Sequence, residues 1–273
     1  MAVDGAVRVA EAAGFVFDVD GTLVHRDPDL RSHVVPGAVE LLERIRRSGR
    51  RLVLFTNGSH VTAAQIAEGL TEDGLPVARE EVLTPVESAI TYVRRYHADS
   101  PVFLFSTEVV RERIAAAGVP LTSGEDAEVV LVTHANEVDM AALETAGHAV
   151  RRGARLLTGS YVPGYAGAKG FVLSRGAMIT AAIAKVSGAR PKVVGKPSRP
   201  AVGELRTHFG LPAEQLAVIG DDLEVDIGLG RMAGSHTVLV RSGTSGEMEI
   251  ERIPDRLRPD AVIDTVADLM DSL

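Results

Sequence analysis

Gly14-Phe15-Val16-Phe17-Asp18-Val19-Asp20-Gly21-Thr22-Leu23 is the stretch on which the reading of this chain turns. Phe15, Val16 and Phe17 form a continuous apolar run without polar alternation, the pattern of a strand buried on both faces of a parallel sheet. Gly21 then breaks the strand. Asp18 and Asp20 therefore stand at its carboxyl end, the side on which open α/β sheets bind their ligands. Buried carboxylates are costly unless paired or metal-bound, and a divalent cation between the two acids would relieve their repulsion. The decapeptide alone also fits a plainer description, a strand closed by an acidic Asp-Gly turn.

Working outward, two more apolar runs deliver polar residues in the same way. Residues 51–57, Arg-Leu-Val-Leu-Phe-Thr-Asn, end in Thr56 and Asn57, and residues 216–220 lead into Asp221 and Asp222, with Asp226 a few positions on. Pro36-Gly37 opens a helix whose apolar residues Ala38, Leu41, Leu42 and Ile45 share one face, and Gly58-Ser59 turns into another carrying Ala63, Ile66, Ala67 and Leu70, with Ser59 or Thr62 as its cap. Strand, helix, strand, helix predicts a parallel sheet. From Thr84-Pro85 the character shifts to strands at 102–105, 129–132 and 155–158 between alanine-rich helices, which reads as an inserted α/β domain. Residues 166–170, Ala-Gly-Ala-Lys-Gly, read as a flexible loop, and Arg190-Pro191 as the return linker. After it the first pattern resumes with Val193 and Val194, a helix around Val202, Leu205 and Phe209, strands at 237–240 and 261–263, and a closing helix from Asp264. The expected fold is α/β: a Rossmann-like parallel-sheet core of residues 1–83 plus 190–273, with a second, inserted α/β cap domain over 84–189.

The totals agree with two globular domains: 273 residues, 45% hydrophobic and 24% charged. A net charge of −8 gives nucleic-acid polymers and anionic membranes nothing to attract, while leaving room for a small phosphorylated metabolite held by local positive groups. Without cysteine, disulfides and thiolate metal sites drop out. No apolar run approaches a membrane span and the first residues lack a signal-peptide pattern, so a cytoplasmic location is expected.

Three strands ending in Asp18, Thr56 and Asp221 supply what phosphoryl transfer needs, with Lys196 in Gly195-Lys196-Pro197-Ser198 as the positive charge. Asp18 would attack phosphorus, forming an aspartyl phosphate. Asp20 would protonate the leaving oxygen and then activate water. Mg²⁺ suits such a site, because it accepts a few carboxylate oxygens, phosphate and water, and Asp18 and Asp221 are its natural side-chain ligands. Each residue has a plainer role when taken singly: Lys196 as a surface lysine in a Gly-Pro loop, Thr56 as a strand cap, Asp226 as a solvated acid near a helix N-terminus.

Asp18-Val19-Asp20-Gly21-Thr22-Leu23 resembles the nucleophile motif of the haloacid dehalogenase (HAD) superfamily of phosphatases, and Thr56-Asn57, Lys196 and Gly220-Asp221 fall in the order of its second, third and fourth motifs. By that resemblance Thr56, Asn57, Gly58 and Lys196 bind phosphate, the Thr56 hydroxyl and Asn57 backbone holding a phosphoryl oxygen. The Asp20 backbone carbonyl joins Asp18 and Asp221 at the metal, with Asp226 and Asp222 as acids behind them. An acid at the second position resembles phosphatases and phosphomutases rather than dehalogenases or ion-pumping ATPases. An insert between the second and third motifs resembles the branch called subfamily IIA, which holds nitrophenyl phosphate, nucleotide, pyridoxal phosphate and phosphoglycolate phosphatases. The resemblance implies a Mg²⁺-dependent hydrolase acting on a phosphoric monoester. A phosphotransferase or mutase, or a non-catalytic phosphometabolite-binding protein, remains the alternative, and a homodimer through the cap is left open.

The insert departs from the branch. Thr158-Gly159-Ser160-Tyr161-Val162-Pro163 replaces a Thr-Asn-Pro-Asp, and Val172-Leu173-Ser174-Arg175-Gly176-Ala177 replaces a Pro-Gly-containing segment. Tyr161, Tyr165 and Lys169 are candidates to read the leaving group, each also explicable by packing or exposure. His134 and His148 have no metal-ligand spacing.

Overall fold

The computed structural model of the protein describes residues 9, 11–26, 31–167, 170–245 and 248–273. They divide into two compact units, one drawing on Met1–Thr56, Ala63–Leu83 and Pro197–Leu273, the other on Asn57–Thr62 and Thr84–Lys196.

The first unit begins with β1 (Gly14–Phe17), all four residues buried, as an unalternating apolar run demands. The chain turns tightly after it, the Leu23 and Val24 amides donating to the Val19 carbonyl at 2.9 and 3.1 Å. It then forms an antiparallel hairpin of β2 (Val24–Arg26) and β3 (Ser32–Val34). Helix α1 (Ala38–Arg47) buries Ala38, Leu41, Leu42 and Ile45, and Arg44, Arg46 and Arg47 lie in its last turn, where the helix dipole favours positive charge. Strand β4 (Arg51–Phe55) follows, then α2 (Ala63–Glu72) and the short β5 (Val82–Leu83).

The second unit is built from α3 (Pro85–Tyr96), β6 (Val102–Phe105), α4 (Glu108–Ala116), β7 (Leu121–Thr122), β8 (Val129–Val132), α5 (Met140–Arg151) and β9 (Arg155–Thr158). Next come β10 (Gly164–Gly167), β11 (Gly170–Leu173), α6 (Arg175–Ser187) and β12 (Lys192–Val193). Thr84 caps α3 by accepting from the Val86 amide at 3.2 Å, with Pro85 at the first helical position. The parallel sheet runs β12-β9-β8-β6-β7.

Two expectations are corrected here. Of the stretch 166–170 expected as a flexible loop, Ala166 and Gly167 belong to β10 and Gly170 to β11, which pair antiparallel from Gly164↔Leu173 to Gly167↔Gly170, while Ala168 and Lys169 lie outside the described residues. The return to the first pattern comes later than residue 190, because β12 pairs with β9 and Val194 packs with Leu104, Leu131 and Leu157 in the second unit's core.

The chain completes the first unit with α7 (Arg199–Phe209), β13 (Leu216–Gly220), a wide π-helical turn (Leu223–Ile227), α8 (Gly228–Ala233), β14 (His236–Val240) and β15 (Ala261–Ile263). Its last turns, Val266–Ser272, are 3₁₀ rather than the expected helix from Asp264, and Thr265 with Asp268 forms the capping box. The six-stranded sheet runs β15-β14-β13-β1-β4-β5, parallel throughout. Phe15 and Phe17 on one face and Val16 on the other bury into two separate apolar clusters. β1 therefore lies at the centre of the sheet, and Asp18 leaves from its carboxyl end.

Candidate active site

In the first unit, β1 and β13 are neighbours in register, Phe17 opposite Ile219, so the residues that follow each strand emerge side by side. Asp18 and Asp221 are among those residues. With Asp226 they form a group in which one carboxylate oxygen from each lies within 4.8 Å of the other two. Asp221 is 3% and Asp226 2% exposed. Burial first and the Asp18 charge second push the Asp221 carboxyl up to about 6, against the opposing hydrogen bond from Thr244. Three converging acids, two of them buried, are the donor set a small divalent cation requires, so the residues present fit a metal ion.

The structure separates the two acids that follow β13. Asp222 Oδ1 accepts from the Glu224 and Val225 amides at 2.8 and 2.9 Å, capping the π-helical turn. That turn carries Asp226 back beneath the site, where its Oδ2 accepts from the Asp222 amide at 3.2 Å. Asp226 is thus no solvated helix-end acid, and Asp222 holds the turn in place.

The 241–245 loop went unread in the sequence. The Thr244 amide donates to Asp221 Oδ2 at 2.6 Å, the Ser245 amide to the Asp221 carbonyl at 3.0 Å, and Ser242 Oγ to the Gly21 carbonyl at 2.6 Å. A Cβ on Gly243 would sit 2.0 Å from Asp221 Oδ2, so only glycine lets this backbone come so close. Its one signal was a Gly flanked by hydroxyl residues just past a buried strand.

Asp20 lies apart from the cluster: its side chain is 48% exposed and is hydrogen-bonded and ion-paired to Arg26 Nε on β2. Thr56, 6% exposed, follows β4 and donates its amide to the Leu83 carbonyl at 3.2 Å.

The other unit carries Asn57, Gly58 and Lys196. Lys196 is only 2% exposed, unusual for an ammonium and against the surface-lysine reading. The Asn57 side chain clamps its backbone, Nδ2 donating to the Lys196 carbonyl at 2.9 Å and Oδ1 accepting its amide at 3.0 Å. Ser59 Oγ donates to the Thr133 carbonyl at 3.2 Å. Of the three candidate leaving-group readers, Tyr161 is 40% exposed, Tyr165 is placed by its backbone in β10, and Lys169 lies outside the described residues.

Residues 15–120 match the haloacid dehalogenase-like hydrolase family, and residues 193–269 match the HAD-hydrolase-like family. The ribonucleotide monophosphatase NagD of Escherichia coli is 31% identical over 259 residues, covering 93% of this chain and 96% of that protein. The chain belongs to the haloacid dehalogenase-like hydrolases. The dihydroxyacetone phosphatase of Corynebacterium glutamicum is 28% identical, with 94% of this chain and 90% of that protein covered. Among solved structures, the p-nitrophenyl phosphatase from Archaeoglobus fulgidus superposes with a TM-score of 0.85 at 25% identity, covering 96% of this chain and all of that one. These matches bear out the resemblance to the subfamily IIA branch and the α/β architecture read from the sequence. Among the described residues no helix is long and apolar enough to cross a membrane.

Proposed function

We propose that this HAD hydrolase is a Mg²⁺-dependent phosphatase that cleaves a small phosphomonoester through an aspartyl phosphate on Asp18. The observation that carries the proposal is the convergence of Asp18, Asp221 and Asp226 at the carboxyl ends of two adjacent parallel strands. Asp18 is the one of the three that is not fully buried. In the proposed reaction an Asp18 oxygen attacks phosphorus while the ester P–O bond breaks. Asp20 delivers its proton to the departing oxygen, then takes one from the water that attacks the aspartyl phosphate, releasing inorganic phosphate and restoring Asp18. Thr56, Asn57 and Gly58 orient the phosphoryl oxygens, and Lys196 offsets their charge. The Asp18 and Asp221 carboxylates with the Asp20 carbonyl would hold Mg²⁺, and Asp226 would fix their geometry from behind. When bound, the ion neutralises charge on the phosphoryl oxygens and lets the nucleophile approach.

Phosphate release from a broad panel of phosphomonoesters, with Mg²⁺, with EDTA and with Asp18→Asn, tests this. Mg²⁺-dependent turnover that Asp18→Asn abolishes in a folded protein is expected. Substantial residual turnover in Asp18→Asn would sink the mechanism, and transfer to an added alcohol would mark a phosphotransferase.

A further inference from the structure

Between Asp20 and Arg26, all within the first unit, the chain makes one wound turn and enters the β2–β3 hairpin. The Gly21 amide donates to the Val24 carbonyl at 2.8 Å, the Leu23 and Val24 amides share the Val19 carbonyl, and Asp20 pairs with Val24 in a single parallel bridge. The winding sets Arg26, the last residue of β2, against Asp20 six positions earlier, and Arg26 Nε donates to Asp20 Oδ1. The hairpin that carries Arg26 is fastened at both strands. Leu23 and Val24 are fully buried, and the Val35 amide donates to the Leu23 carbonyl at 2.9 Å. Ser32, the residue opposite Arg26, is buried and donates its amide to Asp73 Oδ2 at 3.1 Å.

Among the described residues Asp20 is the one hydrogen-bond and ion-pair partner of the Arg26 side chain, and Asp20 Oδ2 accepts no hydrogen bond. The two side chains are 40% and 48% exposed, and an ion pair this open contributes little to stability. What it fixes is direction. A protonated carboxyl carries its hydrogen on one oxygen and accepts on the other. With Oδ1 committed to the Arg26 N–H whether the group is charged or neutral, Oδ2 is the oxygen left to carry a proton. The place of Asp20 suits that task as well. In-line displacement puts the departing oxygen across phosphorus from the oxygen that attacks, so a group serving it must stand clear of the nucleophile. Asp20 lies outside the group formed by Asp18, Asp221 and Asp226.

We infer that Arg26 is a positioning residue for proton transfer: by holding Asp20 Oδ1 it reserves Oδ2 as the oxygen that gives its proton to the leaving group and later takes one from water. The inference rests on the phosphatase reading, which gives Asp20 that role. As an Asp18 oxygen bonds to phosphorus and the ester P–O bond breaks, the Oδ2 proton passes to the departing oxygen, and the water that attacks the aspartyl phosphate returns one to Oδ2. Without Arg26 the Asp20 carboxyl is free to turn, and a misaligned acid forfeits part of the about hundred- to ten-thousandfold that a well-placed one supplies. Lysine would restore the charge on a flexible stem without the fixed direction of the guanidinium, and so only part of the effect.

Phenyl phosphates from p-nitrophenyl through p-chlorophenyl to unsubstituted phenyl test this, because the leaving group depends increasingly on a donated proton while the rest of the ester stays the same. The quantity measured is kcat/KM, which covers the steps up to departure of the phenol, in wild type, Arg26→Met, Arg26→Lys, Asp20→Asn and the double variant Asp20→Asn/Arg26→Met. The ratio of p-nitrophenyl to phenyl phosphate is expected to rise about tenfold over wild type in Arg26→Met and by less in Arg26→Lys. It should rise in Asp20→Asn too, with no further rise when Arg26→Met is added. A loss shared equally by all the esters is merely structural and overturns the inference, as does an Arg26→Met effect that persists in full on Asp20→Asn. A ratio that rises in Asp20→Asn but not in Arg26→Met leaves the acid role of Asp20 standing and refutes the part given to Arg26. A ratio that rises in neither overturns the acid role itself, and the inference with it.

Discussion

Asp221→Asn is expected to make the metal-free protein more stable, at the expense of its response to Mg²⁺. The Asp221 carboxyl, buried beside the Asp18 charge, is raised from its ordinary value of 3.8 to about 6. A gap of about 2 pH units is worth about 3 kcal/mol. Below pH 3.8 the group is protonated in both folded and unfolded states and nothing is lost. Between 3.8 and 6 the unfolded chain releases a proton that the folded protein keeps, so stability falls as pH rises, and above 6 the loss is complete. Asparagine cannot ionise, and its side-chain oxygen can still accept from the Thr244 amide, though about 1 kcal/mol more weakly than a charged group. Asp221→Asn should therefore exceed the wild type by about 2–3 kcal/mol at about pH 7.5 in EDTA, the gap closing by about pH 4. Urea unfolding followed by far-UV circular dichroism measures this on the transition that responds to Mg²⁺. Millimolar Mg²⁺ should reverse the order, because binding stabilises only a protein that retains its ligands. A variant less stable than wild type in EDTA at neutral pH, or a gap that persists in acid, refutes the reasoning.

Gly243→Ala places a methyl group 2.0 Å from Asp221 Oδ2, which displaces the carboxylate. Mg²⁺ affinity, measured by titration calorimetry, should fall by about tenfold or more. Asn57→Ala removes both hydrogen bonds to the Lys196 backbone. It should cost about 1–3 kcal/mol in thermal unfolding and lower kcat/KM, and an unchanged kcat/KM would show that the clamp is dispensable for turnover.

The longer strands of both sheets were legible because each is a short unalternating apolar run between helices with clear apolar faces, whereas the two-residue β5 and β7 are too short to give such a run. Asp18 and Asp221 could be placed from those runs alone, since the residue after a parallel strand always leaves at the same end. The choice between Asp222 and Asp226 could not, because it depends on a π-helical turn that swings one acid back under the site and commits the other to capping. Residues 166–170 read as a loop because their glycines carry no strand propensity, and the strand character of Gly164–Gly167 comes from its pairing with Gly170–Leu173. Residues 192–194 resemble the start of any buried strand, and only their pairing with β9 assigns them to the second sheet. The 241–245 loop was out of reach for another reason: its partners, Asp221 and Gly21, lie elsewhere in the sequence and are reached through folded backbone.

The position of β1 at the middle of the first sheet bears on the order in which the protein is made. Gly14 pairs on one side with Arg51, soon available, and on the other with Leu216. As the chain leaves the ribosome, all residues of the second unit have been synthesised once Lys196 emerges, whereas β13, β14 and β15 are still to come. The inserted unit is therefore ready to fold during translation, with β1 and β4 waiting beside an open edge on β1. Asp221 follows Asp18 by about two hundred residues, so the loop that joins them is among the last to close. The acidic centre is assembled only after β13 has been made, and until then β1 keeps one edge without its partner strand.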